Sequence, residues 1–383
     1  MKILGLIYDS TRRRLDSPGD FLLFPELVSP KMFLSFFIFF IIIFSTIYSF
    51  AGETNERSIK PHLLYNDDTR TLNYDFFPIT YYLNLAFDTV QEPKAFNQYQ
   101  YLRKHSKIIN QVSHPIRTIR RSGGVRKLIT NELFGVPGLP NWSLHLVGGA
   151  YDFRMLAEYY DYQGFFLPYM FAFITAYATR LGNEAVEETP NRLYAIDHIA
   201  DFYFFDFLAC FLFLSDSITK FFYNDLQMRA WYGQPIMDLK SLQINNASGS
   251  YVFRPYVFGK KVRPFIIMGM HYLFGISINT TGNDYLSIAS GVAVVNPFRH
   301  GGTLNDTMQQ TKLAVGIYYD RNNALMWSLI FHGTQDYLVR LNVYPPAIKI
   351  EDMDIGLFFA INGKKRPVFG MNINMPFGFG WHI

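Results

Sequence analysis

The chain holds one cysteine, Cys210, inside the apolar stretch 207–214, so no intramolecular disulfide can form in any compartment. With no cation beside it in sequence to lower its pKa, Cys210 reads as a small buried apolar residue rather than a reactive thiol. Charge is also scarce. Charged residues make up 17% of the chain, against roughly 25% in ordinary soluble proteins. The formal net charge of +4 is too small by itself to imply nucleic acid, and no zinc-finger or RRM-type motif is present, so a nucleic-acid partner is not expected. HExxH, GxSxG, CxxC and a glycine-rich phosphate loop are all missing. No metal or cofactor is therefore expected, and whether the protein is an enzyme stays open. What is abundant is aromatic: 38 Phe and 26 Tyr. Few charges and many aromatics together suit a chain that meets lipid.

Residues 32–51 form an uncharged apolar run preceded by Lys31 and ending in Ser49-Phe50-Ala51. Small residues at the last and third-last positions predict signal-peptidase cleavage before Gly52. The alternative is an uncleaved inner-membrane anchor, because about 18 apolar residues can just span a bilayer. Residues 1–31, with Arg12, Arg13 and Arg14, are either a long n-region or lie upstream of the true start. The chain accordingly divides into an N-terminal extension and signal peptide (1–51), a polar and basic region (52–136), an apolar helical region (137–247) and a β-barrel (248–383).

No acidic residue occurs over residues 93–131, which carry nine cations: Lys94, Arg103, Lys104, Lys107, Arg117, Arg120, Arg121, Arg126 and Lys127. Such a run is either a solvated face or a surface for anionic lipid or lipopolysaccharide headgroups. Beyond Pro140, Leu144, Val147, Gly148, Tyr151, Met155 and Tyr159 recur at helical spacing, and Gly164 closes that helix. Pro168 suits the first turn of a second, almost wholly apolar helix that runs into Asn183 and Glu184. A third helix is predicted over 193–214, and a fourth starts among the capping residues 215–217.

After about Ser248 the period becomes two. Leu313, Val315, Ile317 and Tyr319 share one face; Leu325, Trp327, Leu329 and Phe331 share another; Tyr337, Val339, Leu341 and Val343 a third. At the C-terminus Phe369, Met371, Ile373, Met375, Phe377, Phe379, Trp381 and Ile383 alternate with small or polar residues. A strand facing hydrocarbon on one side and a crowded lumen on the other needs that pattern. Segments near 249–259, 262–279, 284–297, 310–319, 324–333, 335–345, 354–362 and 366–383 predict an antiparallel, eight-stranded barrel. Arg254, His271, Arg340, Asn342 and His382 fall on its inward phase, where side chains fill so narrow a barrel.

The last third resembles bacterial outer-membrane β-barrel proteins, whose final strand alternates apolar residues toward a terminal aromatic. Ile383 and Pro376 depart from that pattern. The resemblance implies an outer-membrane location in a Gram-negative bacterium and the outer-membrane insertion machinery as a partner. The helical part is vaguely similar to uncharacterised bacterial envelope proteins through Asn183-Glu184 and the Asp197 to Asp201 segment, and that likeness implies no activity.

His145, Glu184, Asp197 and Asp201 are the candidate catalytic residues, because clustered carboxylates and imidazoles can bind a metal or run acid–base chemistry. The competing role for them is to orient helices. The expected class is an α+β membrane protein, a cell-envelope protein with a structural or lipid-binding role whose partner is membrane lipid or lipopolysaccharide. Two alternatives stay open: a lipid-modifying enzyme at the membrane interface, and an inner-membrane helical protein with a periplasmic β-domain.

Overall fold

A computed structural model describes residues 62–66, 78–88, 101–135, 141–188, 196–240, 244–294, 311–332, 337–351, 353–373 and 377–382. The apolar run 32–51, the Gly52 cleavage point, Lys94, Met375 and Ile383 lie outside them.

The helices come first along the chain: α1 (Pro78–Ala86), α2 (Tyr101–Ser113), α3 (Pro115–Arg121), α4 (Gly149–Tyr162), α5 (Pro168–Glu187), α6 (Ile196–Leu212) and α7 (Asp216–Asp225). Wider π-type turns at Asn141–Gly148 and Asp201–Phe205 lead into α4 and interrupt α6. The punctuation read from the sequence accounts for the ends. Gly164, at φ +80°, follows α4; Pro168 occupies the first turn of α5; the Ser215 hydroxyl accepts from the Ile218 N–H at 3.5 Å to cap α7. Helix α4 is buried from Ala150 through Tyr160, on every side and not on one stripe. The charges this burial encloses are paired: Arg154 meets Glu158 at 2.6 Å, and Glu158 also accepts from the N–H groups of Leu64 and Tyr65 at 2.7 and 2.8 Å. Among the described residues no single helix is long and apolar enough to cross a membrane. One bent pair, α6 with α7 at 86°, passes that test on length and composition.

The β region is one curled, half-barrel mixed sheet. Its strands are β1 (Arg229–Tyr232), β2 (Ile236–Asp238), β3 (Ile244–Asn245), β4 (Gly249–Phe253), β5 (Val262–Gly269), β6 (His271–Thr281), β7 (Asp284–Val294), β8 (Thr311–Arg321), β9 (Ala324–His332), β10 (Tyr337–Val343), β11 (Lys349–Ile350), β12 (Met353–Asn362), β13 (Pro367–Ile373) and β14 (Gly378–His382). The order is β1-β4-β5-β6-β7-β8-β9-β10-β12-β13-β14-β2-β3, with β11 paired to β12. This corrects the eight-stranded antiparallel expectation in three ways. The segments 262–279 and 366–383 each fold back on themselves, giving β5 with β6 and β13 with β14. Strands β1 to β3 precede residue 248 and are too short to show a period in sequence. Finally, β2 runs parallel to β14, pairing Ile236 with Gly378.

That parallel pair brings the ends of the sheet together. Tyr232 in β1 pairs with Gly249 at one end, while Ile236 in β2 pairs with Gly378 at the other. Only Gly233, Gln234 and Pro235 lie between them in sequence, so the two ends stand at most about 15 Å apart. The inward glycines make room for this crossing: a Cβ on Gly380 would lie 2.6 Å from Ile236 Cγ2 and 2.3 Å from the Phe369 carbonyl. Helices cover the outer face of β1 and β4, where Asp152 of α4 takes hydrogen bonds from Tyr232 and Tyr251, and the turn before α4 reaches β6, where Ser143 lies 3.3 Å from the Tyr272 hydroxyl.

Elsewhere the sheet is inside-out relative to a soluble protein. Outward side chains are apolar and exposed, among them Leu313 (70%), Phe274 (58%) and Trp381 (51%). Strand pairing links them sideways, from Ile276 to Ile288, Ile317, Leu329, Leu341, Phe359, Phe369 and Trp381, across eight neighbouring strands. The next row reads Ile278, Leu286, Tyr319, Trp327, Val343, Leu357, Met371 and Phe379, again without a charge. Tyr337 departs from the expected alternation: a register shift between Tyr337 and Val339 turns it inward.

Candidate functional site

Two polar groups stand out, one inside the sheet and one among the helices. Inside the sheet, the structure places Arg254, His271, Arg340 and Asn342 in buried positions; the side chain of His382 lies outside the described residues. Arg254 Nη1 donates to Asp320 at 2.7 and 2.8 Å, and its Nη2 donates to Asn323 Oδ1 at 2.7 Å. His271 Nε2 and His332 Nδ1 are 3.2 Å apart, and Ser287 donates to Ser277 at 2.8 Å. Asn342 ties the crossing segment to the wall: its Oδ1 accepts from Asn246 at 2.8 Å, while Gln234 Nε2 donates to the Val343 carbonyl at 3.0 Å. An apolar group of Trp231, Phe265, Leu273 and Tyr318 packs among them. Not every inward polar atom is matched: Tyr318 Oη and His332 Nε2 have no hydrogen-bond partner among the described residues, and Trp231, His271, Tyr318, Arg340 and Asn342 line a cavity there.

Among the helices, α4 with its leading turn, α5 and α6 bring together all four residues singled out in sequence. His145, Glu184 and Asp201 form one group, and Glu184, Asp197 and His198 a second, with Glu184 common to both. His145 Nδ1 lies 3.1 Å from Asp206 Oδ1, and Arg180 Nε lies 3.4 Å from the same oxygen. His198 is held between two carboxylates, Glu184 on one ring nitrogen and Glu188 at 3.2 Å on the other, and Lys107 meets Glu188 at 2.5 Å. Burial alone would raise the Glu188 carboxyl, but hydrogen bonds from His198 and Lys107 outweigh it and hold the group below its usual range. Asp201 goes the other way: burial, then the Asp197, Glu184 and Asp206 carboxylates, push it well above the usual carboxylate range.

The sequence search passed over Asp152, Arg180, Asp206 and Asp320. The available signal was a charge flanked on both sides by aromatic residues, as in Tyr151-Asp152-Phe153 and Phe205-Asp206-Phe207, because such a charge is buried only when paired. Asp152 shows the consequence. Burial raises its carboxyl to about 6 against the opposing effects of the Tyr251 and Tyr232 hydrogen bonds and Arg180. A folded value above the unfolded 3.8 means that its contribution to stability is fully present below about pH 3.8 and is lost as pH rises through 6. Asp152→Asn should therefore flatten the pH profile, gaining relative to wild type between pH 4.5 and 7.5 by about 2 to 3 kcal/mol at most. Denaturant midpoints of both proteins at those two pH values test this. Parallel profiles would show that Asp152 stays ionised throughout.

No family model matches the chain, and no curated protein or solved structure matches it.

Proposed function

We propose that this is an exported cell-envelope protein whose curled sheet resides in an outer membrane as a small barrel, with a structural or lipid-binding role. The supporting observation is the inverted sheet: uncharged apolar rows outward across eight strands, buried polar side chains inward. Water would penalise that outer face and hydrocarbon would not, whereas the inner face carries the polar groups that lipid rejects. Four outward rows, starting with the row of Tyr272, Val292 and Leu313, cover about 20 Å along the strands, close to the apolar band of known barrels.

The lipid-binding part draws on α3 and the turns after it. Arg117, Arg120, Arg121 and Arg126 are exposed there beside exposed Ile116, Val125, Ile129 and Phe134. Cations next to exposed apolar side chains are the composition of a surface that rests in anionic headgroups. Lipid or lipopolysaccharide is accordingly the proposed partner, and the outer-membrane insertion machinery the proposed assembly route. Of the candidate residues for an enzymatic role, Glu184 and Asp201 are buried and only His145 and Asp197 are partly exposed.

Separating inner and outer membranes, with unheated and boiled samples run on a gel, tests the proposal. Recovery in the outer membrane and a heat-dependent shift in mobility are expected, with a mature N-terminus at Gly52 by mass spectrometry. Recovery in the inner membrane or the soluble fraction, without a shift, would refute it.

A further inference from the structure

The helical cluster is unused by the barrel reading and does not depend on it. His145, Glu184 and Asp201 each offer one ligand atom, and all three atoms lie within 4.8 Å of one another. These are not surface acids: Glu184 and Asp201 are each 2% exposed. The nearby full cations are already committed, Lys107 to Glu188 and Arg180 to Asp206. Asp201 Oδ1 has no hydrogen-bond partner among the described residues, and at 4.0 Å from His145 Nδ1 it is too far away to accept from that ring. Asp206 Oδ2 is likewise without a partner among the described residues. A buried carboxylate oxygen left without a donor is costly, and Asp201, which carries one, sits in a group whose His145 and Glu184 ligand atoms lie within 4.8 Å; that convergence points to a cation.

We propose that His145, Glu184 and Asp201 bind one divalent transition-metal ion of the zinc or manganese class, with Asp197 and His198 flanking Glu184. One imidazole nitrogen and two carboxylate oxygens match the ligand preference of those ions. Ligand atoms about 2.0 to 2.2 Å from an ion stand about 3 to 4 Å from each other, so binding draws the three groups inward by less than about 1 Å. The surroundings already have the form of an outer shell. Asp206, held by Arg180, fixes the His145 ring, and Glu188, held by Lys107, fixes His198 against Glu184. Such carboxylate–histidine supports orient ligands for a metal. The ion would clamp three elements: the turn before α4, the C-terminal part of α5 and the start of α6. With Glu184 and Asp201 each 2% exposed, the ion would have a structural role.

The test uses the full chain, stripped with EDTA and dialysed against Zn²⁺ or Mn²⁺, with metal counted by mass spectrometry and thermal unfolding recorded. Wild type should retain about one ion per chain and unfold about 5 °C higher with metal than without. Asp201→Asn removes one carboxylate oxygen at constant shape and should retain less than about a tenth of an ion, with no thermal gain. His145→Gln should do the same and serves if the first variant fails to fold; Asp216→Asn, outside the cluster, should behave as wild type. Equal metal uptake by wild type and Asp201→Asn, or an unfolding midpoint indifferent to both ions, would overturn the proposal.

Discussion

Arg254→Ala is expected to destabilise the protein by about 3 to 5 kcal/mol, the cost of leaving a buried charge without its partner. Arg254 and Asp320 are both 0% exposed, joined by two hydrogen bonds of 2.7 and 2.8 Å. The guanidinium also lies 5.0 Å from the Tyr285 ring and 5.6 Å from the Trp231 ring. Without it the buried Asp320 carboxylate loses its cation and both hydrogen bonds. Asp320→Ala should cost a similar amount, while the double variant should cost clearly less than the sum, because neither orphan charge remains. Denaturant unfolding of the four proteins in lipid gives the cycle directly. Additive losses, or single losses below about 1 kcal/mol, would mean that the pair is wet and contributes as little as a surface bridge.

Ile288→Arg should cost about 2 to 4 kcal/mol in lipid, the penalty for a charge near the middle of a bilayer-spanning barrel. Ile288 sits mid-strand in β7 within an eight-strand apolar row, between Ile276 and Ile317, and is 47% exposed. On a soluble sheet such an exposed position would accept Arg within about 0.5 kcal/mol. The two solvents for that face therefore predict effects several-fold apart. Its inward neighbour Ser287, bonded to Ser277 at 2.8 Å, sets the scale on the other phase, where Ser287→Ala should cost about 1 kcal/mol. If Ile288→Arg folds as well as wild type, the outer face is not in hydrocarbon.

The outward phase of the long strands was legible except at Leu325 and Tyr337, which register shifts in β9 and β10 turn inward into the core. Leu313, Val315 and Ile317, then Trp327, Leu329 and Phe331, then Phe369, Met371 and Trp381 all point outward as their alternation predicts, because side-chain direction in a strand is a local property of period two. Strand count was not legible. Nothing in the period marks Met270 as a reversal between β5 and β6, since a hairpin with an odd offset keeps the same residues outward on both arms. Met371 and Phe379, paired across the β13–β14 hairpin, show the same effect.

The punctuation of the helices, the phases of the strands and the scarcity of charge belong to the sequence by itself, because each depends on residues within a turn or two of one another. How the strands are ordered in the curled sheet, and which charges meet, were settled only by the tertiary structure. Gly233, Gln234 and Pro235 carry the chain from one end of the sheet to the other, and that crossing depends on β14, which lies more than a hundred residues downstream. Arg254 finds Asp320 across 66 positions, and His145 finds Asp206 across 61. A buried charge announces in sequence that it needs a partner, since solitary burial is prohibitive. Which partner it takes is determined by contacts between elements distant along the chain, and no local pattern records them.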